Sequence, residues 1–150
     1  MADIVSAAVR SRMMAGIKGK NTSPELLLRK GLHARGFRFR LHDGALPGRP
    51  DIVLSRHRAV IFAHGCFWHG HDCHLFKWPK TREEFWRAKI ARNQELDAKA
   101  ESTLMKTDWR YAVVWECALK GRTRLPIDNV LQELADWIRS DLPRLEIRGS

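Results

Sequence analysis

The sequence has no apolar run approaching the ~20 residues of a membrane span. Its first residues, Met-Ala-Asp-Ile-Val-Ser-Ala-Ala-Val-Arg, lack the charged region and long apolar stretch of a secretory signal. Neither a membrane-embedded nor a secreted protein is expected. There is no internal repeat and no low-complexity segment. Cysteine is scarce, and the three present cannot pair completely. Two of them, Cys66 and Cys73, lie among histidines, so metal-bound thiolates in a cytoplasmic protein fit better than disulfides in a secreted one. Acid is also short: 17 Asp+Glu face 27 Lys+Arg, for a net charge of +10 and a pI near 10.2. This balance attracts polyanions, nucleic acid first and an anionic membrane second. No basic amphipathic helix supports the membrane.

At 150 residues, 44% hydrophobic and 29% charged, the chain is expected to form one globular domain. Such a domain buries roughly two thirds of its unfolded surface. Residues 9–20 carry Arg10, Arg12, Lys18 and Lys20 and no acid, and two glycines weaken any helix there. They read as a basic arm, residues 1–20, preceding a domain over 21–150, with Met13 and Met14 unusual for a solvated tail.

Ser23-Pro24-Glu25 is a helix start, with Leu26, Leu27, Leu28 and Leu32 on its apolar side and Gly36 at its end. Strands are expected over 37–41, 51–55 and 59–63, with a loop over 43–49 and a turn at Arg56-His57-Arg58. Thr81 and Glu84 have the spacing of a capping box for a helix running to about Met105. Residues 109–116 read as a buried strand ending at Cys117, and 127–139 as an amphipathic helix. Helices interleaved with short buried strands predict an α/β sandwich around a mixed sheet.

The segment His64-Gly-Cys-Phe-Trp-His-Gly-His-Asp-Cys-His74 holds four of the seven histidines and two of the three cysteines. A structural zinc takes four Cys or His ligands in a tetrahedron. Cys66, Cys73 and Cys117 supply three, and His71 is the best fourth, because Cys66-x4-His71-x-Cys73 can wrap one ion while Cys117 pins the loop to the sheet. The plainer alternative is three unrelated thiols. His64, His69 and His74 are then left for proton transfer or phosphate contact. Phe67 and Trp68, adjacent aromatics in a polar loop, suggest a contact surface; the alternative is core packing.

Pro50-Asp51 opens one strand, and the next ends at Phe62-Ala63-His64. Many nucleases place a metal-binding Asp at the start of one strand and a Glu-x-Lys on the next; here Phe62-x-His64 replaces that pair. Asp51 can ligate Mg²⁺, the Ala63 carbonyl can be a second ligand, and Glu25 in the first helix can reach a metal-bound water. On the long helix, positions 86, 90, 93, 97, 100 and 104 share one face. Asn93 and Asp97 interrupt its apolar stripe. A buried carboxylate needs a partner, either one of the spare histidines or an Arg or Lys.

Leu46-Pro-Gly-Arg-Pro-Asp51, Val60-Ile-Phe-Ala-His-Gly-Cys-Phe-Trp-His69, Phe76-Lys77, Thr81-Arg82-x-x-Phe85-Trp86, Lys89-Ile90 and Val114-Trp-Glu-Cys-Ala-Leu119 resemble the very-short-patch repair (Vsr-type) DNA mismatch endonucleases over about residues 9–140. The resemblance implies a restriction-endonuclease-like core and a Mg²⁺-dependent nick beside the thymine of a T·G mismatch left by deamination of 5-methylcytosine. It implies Mg²⁺ on Asp51 and the Ala63 carbonyl. His69 would be the general base or acid, Asp97 would orient it, and His64 and Glu25 would assist. Zinc would sit on Cys66, His71, Cys73 and Cys117. Phe67, Trp68 and Trp86 would form an aromatic wedge from the major groove, Met14 would insert from the minor groove, and Lys89 and Asn93 would approach the mismatch. A monomer acting at the bacterial nucleoid in the cytoplasm, with MutL as a partner, is also implied. The chain departs from the family at Ala63, where a hydroxyl-bearing residue often stands. His74 has no role in it, and the tail after about residue 140 carries no motif. Two other functions compete: a restriction-type nuclease without mismatch preference, and a non-catalytic zinc-stabilised DNA-binding module.

Overall fold

The structure is a computed structural model and describes residues 23–150. The expected basic arm and Met14 lie outside the described residues. Helix α1 (Ser23–Ala34) is followed by strands β1 (Arg40–Leu41), β2 (Ile52–Leu54) and β3 (Ala59–His64). Then come the long helix α2 (Glu83–Lys106), strand β4 (Arg110–Trp115), the short helix α3 (Glu116–Leu119), helix α4 (Ile127–Arg139) and strand β5 (Arg144–Ile147). The five strands form one sheet in the order β1-β2-β3-β4-β5. β1, β2 and β3 pair antiparallel, while β3, β4 and β5 run parallel. The expected mixed α/β sheet with flanking helices is therefore present.

Alternation along the strands divides the core between the two sheet faces. Ile52, Leu54, Ala59, Ile61, Ala112, Val114 and Ile147 pack with Leu28 and Leu32 of α1 and with Val130, Leu131, Leu134 and Ile138 of α4. The intervening residues Val53, Val60, Phe62, Tyr111 and Val113 pack with Leu104 of α2. Helix α4 presents its buried residues at helical spacing, as its sequence predicts. It approaches α1 so closely that a Cβ on Gly31 would lie 2.2 Å from Leu131 Cδ1, and the Leu131 side chain would have to move to admit it.

Three local expectations need correction. The strand expected over 37–41 contracts to Arg40–Leu41, because β1 is an edge strand paired with only Val53 and Ile52. The capping box is not formed: α2 begins at Glu83 after Arg82, which adopts a left-handed φ of 53°, and no side chain caps it. The tail contains a strand. In Arg144-Leu-Glu-Ile147 alternate residues face opposite ways, and Leu145 and Ile147 join the core with α1 and α4. No helix among the described residues is long and apolar enough to cross a membrane.

Candidate active site

Parallel pairing sets His64, the last residue of β3, beside Trp115, the last of β4. The chain leaves β3 directly into the His/Cys loop, which lies at this end of the sheet. Two clusters of ionisable side chains meet there.

The first is made of soft donors. One ligand atom from each of Cys66, His71, Cys73 and Cys117 lies within 4.8 Å of the others. His71 Nδ1 is 3.5 Å from Cys66 Sγ and 3.6 Å from Cys117 Sγ. A tetrahedral ion with metal–sulfur bonds of about 2.3 Å and metal–nitrogen bonds of about 2.1 Å has nitrogen-to-sulfur edges of roughly 3.6 Å. The donor chemistry and these edges fit zinc. Cys66, Cys117 and His71 are buried and the three cysteines form no disulfide. Burial, with Cys73 and Cys117 alongside, pushes the Cys66 thiol well up. The loop closes on itself through the His71 N–H, which donates to the Cys66 carbonyl at 2.9 Å.

The second cluster lies around a cleft of about 690 Å³. Asp51, Glu25, His42, Ala63, His64, His69 and Asp97 all line it. Glu25 is fully buried in α1 and its Oε2 is 2.6 Å from His42 Nε2 and 3.7 Å from Arg29 Nη1. Asp51 Oδ2 accepts the Ala63 N–H at 2.7 Å, and Asp51 Oδ1 lies 4.0 Å from His42 Nε2. Glu25, His42 and Asp51 each offer a ligand atom within 4.8 Å of the others. Burial pushes the Asp51 carboxyl up to about 7; the Ala63 N–H pulls it down, and the Glu25 charge adds to the rise. Two crowded carboxyl groups drawn out of water are the electrostatic signature of a place that a divalent cation relieves.

Across the same cleft, His69 Nδ1 is 2.5 Å from Asp97 Oδ2. Between a spare histidine and a basic side chain, the partner of Asp97 is the histidine. The His64 ring stacks flat on His69, with centroids 3.8 Å apart and planes 8° apart. Burial, then the neighbouring His69 charge, drives the His64 pKa down to about 3, so His64 is a neutral imidazole at ordinary pH. Its Nδ1 is buried without a hydrogen-bond partner.

The aromatic residues gather at the rim. Phe67 lies 5.2 Å from Trp68 and 5.4 Å from Trp86, and stacks on Phe76 at 5.8 Å. Trp68, Phe67 and Trp86 are half-buried and belong to neither face of the core, so core packing does not account for them. Asn93 Nδ2 donates to the Trp68 carbonyl at 2.8 Å, and Gln94 Nε2 to the carbonyls of His69 and Gly70 at 3.3 and 3.4 Å. Gly70 has a φ of +61°, and a Cβ there would meet Gln94 at 2.5 Å and Ile90 at 2.7 Å. Lys89 is exposed on α2.

The family model described as DNA mismatch endonuclease Vsr matches residues 2–75. DNA mismatch endonuclease Vsr of Escherichia coli (strain K12) is 47% identical over 138 residues, spanning 92% of this chain and 88% of the relative. The chain belongs to the Vsr family. Two type II nicking enzymes are also similar: V.NmeAIP of Neisseria meningitidis is 44% identical over 140 residues, 92% of this chain and 100% of its own. V.XorIIP of Xanthomonas oryzae is 44% identical over 133 residues, 87% of this chain and 98% of its own. The resemblance read from the motifs is therefore borne out.

Within this Vsr-family chain the structure brings together the four expected soft ligands, and separately Asp51, Glu25, Ala63, His64, His69 and Asp97. Four further side chains of the cleft carried no signal strong enough to single out. His42, a loop histidine with a φ of 49°, bonds Glu25. Glu116 accepts the Cys66 N–H at 3.1 Å and lies 3.6 Å from Lys120 Nζ. Lys120 and Arg49 bring positive charge to the cleft wall. His74, without an expected role, lies beside Gly121, where a Cβ would come 3.0 Å from its Nε2.

Proposed function

We propose that the protein is a mismatch-specific DNA endonuclease that nicks one strand of a duplex beside the T of a T·G mismatch, by Mg²⁺-dependent hydrolysis of a phosphodiester. The observation that carries this reading is the opening of two groups onto one cleft: the crowded Asp51–Glu25–His42 cluster and the His69–Asp97 pair. The first suits a hard cation and the second suits proton transfer. The net charge of +10 suits a phosphate backbone. The mixed sheet with an Asp at the head of β2 and the cleft at the end of β3 agrees with a restriction-endonuclease-like core.

Asp51 and the Ala63 carbonyl would hold Mg²⁺, with Glu25 turned toward its waters and His42 fixing Glu25. When bound, the cation supplies positive charge against the charge that builds on the phosphoryl oxygens and lowers the pKa of a water. Asp97 would accept a hydrogen bond from the Nδ1–H of His69, which sets the tautomer and leaves the Nε2 lone pair free to take a proton. His64, kept neutral, lies against His69 without placing a second positive charge beside the imidazolium that forms. Ala63 has no hydroxyl to offer, so its backbone carries the role there.

Zinc on Cys66, His71, Cys73 and Cys117 would be coordinatively closed and would hold the loop rather than react. Phe67, Trp68 and Trp86 would enter the duplex as a wedge. Unstacking costs a few kcal/mol per step and least at a mismatch, so a wedge favours damaged DNA. Lys89 and Asn93 would meet the mispaired bases, and Met14 would enter from the other groove. One chain supplies every residue of the cleft, which agrees with a monomer cutting one strand. The same reading extends to a bacterial cytoplasmic setting at the nucleoid and to MutL as a partner, which co-purification would test.

A nicking assay on matched and T·G duplexes, with Mg²⁺ and with chelator, tests the whole. Nicking of the T-bearing strand of the T·G duplex alone, lost on chelation, is the expected result. Equal nicking of both duplexes would leave a nuclease without mismatch preference. Nicking of neither would leave a binding module.

A further inference from the structure

The His64–His69 pair also lines a second depression, of about 330 Å³, to whose wall Asp97, Glu101, Trp115, Arg144 and Glu146 contribute. The contacts around it close into a ring. Trp115 stacks flat on His71, with centroids 4.0 Å apart and planes 7° apart. The same indole stands against His64 at 5.3 Å and 68°, and against His69 at 6.2 Å and 74°. Its Nε1–H donates to Glu146 Oε2 at 2.8 Å. Glu146 Oε1 is 3.9 Å from Arg144 Nη1, and Arg144 Nε bonds Glu101 of α2. Glu101 lies one helical turn after Asp97, and Asp97 returns to His69.

Trp115 thus touches a soft-donor ligand with one face and both cleft histidines with its flank. Its own orientation is held by the hydrogen bond it donates to Glu146 of β5. An indole N–H normally finds a partner, and here the partner is an exposed carboxylate tied to the helix that carries Asp97. His69 is held at Nδ1 by Asp97 and on one face by His64. A ring so held can still tilt, and a small misplacement of a proton-transfer group costs rate without costing binding.

We propose that Trp115, held by Glu146, is a positioning residue for the His64–His69 pair, and that strand β5 belongs to the catalytic apparatus through it. The proposal rests on His69 being the proton-transfer group of the function above. The test uses full-length, zinc-loaded protein with Mg²⁺ and compares wild type, Glu146→Ala, Glu146→Gln and Trp115→Phe. Three quantities are measured: kcat and KM for nicking of a T·G duplex, bound zinc, and the side-chain NMR signals of the His69 ring.

Glu146→Ala is expected to lower kcat by about tenfold with KM and zinc content unchanged, and to shift or broaden the His69 ring signals. Glu146→Gln keeps an acceptor for the indole and should recover most of the loss. Trp115→Phe keeps an aromatic face for His71 but no N–H, and should resemble Glu146→Ala. A wild-type kcat in Glu146→Ala overturns the proposal. So does a loss of zinc with a raised KM, which would make the ring a prop for the loop alone. If the wild type itself fails to nick, the function above falls, and the His69 signals decide the positioning separately: unmoved in Glu146→Ala, they overturn it.

Discussion

The two clusters at the end of the sheet share the segment from His64 to Cys73 and differ in almost every physical respect. Cys66, His71, Cys73 and Cys117 turn inward on one another, with His71 already at the nitrogen-to-sulfur edges of a tetrahedron. Asp51, Glu25, His64, His69 and Asp97 face an open cleft of about 690 Å³. Where the ligands satisfy each other, nothing remains for a substrate. Where carboxyl groups crowd without full compensation, a cation and a phosphate have something to complete. Alternate residues of the same loop serve the two clusters: His64 and His69 one, Cys66 and His71 the other.

Removing zinc should be the most severe way to break this comparison. Cys117→Ser, or exhaustive chelation, is expected to lower the melting temperature sharply and abolish nicking together, because the thiols have little apolar surface with which to hold the loop alone. An unchanged melting curve in zinc-free protein would refute the staple. Next is Asp51→Ala, expected to cut nicking by roughly a thousandfold while circular dichroism and zinc content stay as in wild type. The fold should not suffer, since a carboxyl held up to about 7 by burial is not a stabilising charge. Retained nicking would remove Asp51 from the site.

Asp97→Asn keeps a group beside His69 but presents the wrong atom to it, and kcat should fall about a hundredfold at constant KM. A rise in KM with constant kcat would make Asp97 a binding residue instead. The smallest effect concerns protons. With its pKa raised to about 7, Asp51 carries a proton in the folded, metal-free protein that the unfolded chain would have released. That contribution to stability is present below the ordinary carboxylate range and is lost as pH rises through about 7. Mg²⁺ requires the ionised form, so its affinity, measured by calorimetry, should weaken by up to about tenfold per pH unit below 7 and level off above it. A pH-independent affinity would remove Asp51 from the metal.

Most of both clusters was legible in the sequence because thiols and imidazoles are rare and were dense over 64–74, and because Asp97 stood out in an apolar stripe. The helix at 127–139 was legible from its amphipathic period, and the strands at 59–63 and 109–116 from their short apolar runs. His42 was not legible: a lone loop histidine has no pattern, and its partner Glu25 is 17 residues away. Strand β5 was missed because Arg144-Leu-Glu-Ile147 is four residues long and half charged. It becomes a strand through its parallel pairing with β4, which local sequence does not carry. Thr81 and Glu84 had the right spacing for a capping box, yet Arg82 turned left-handed ahead of the helix and removed the geometry that a cap requires.

Helix α2 holds the loop at the Trp68 carbonyl through Asn93, at the His69 and Gly70 carbonyls through Gln94, and at the His69 ring through Asp97. All three grips come from five consecutive residues of one rigid rod. In the language of machining, the aromatic edge and the imidazole are dimensioned from a common datum. Their placement error relative to each other is then that of little more than one helical turn, rather than the accumulated error of the loop that runs from β3 to α2.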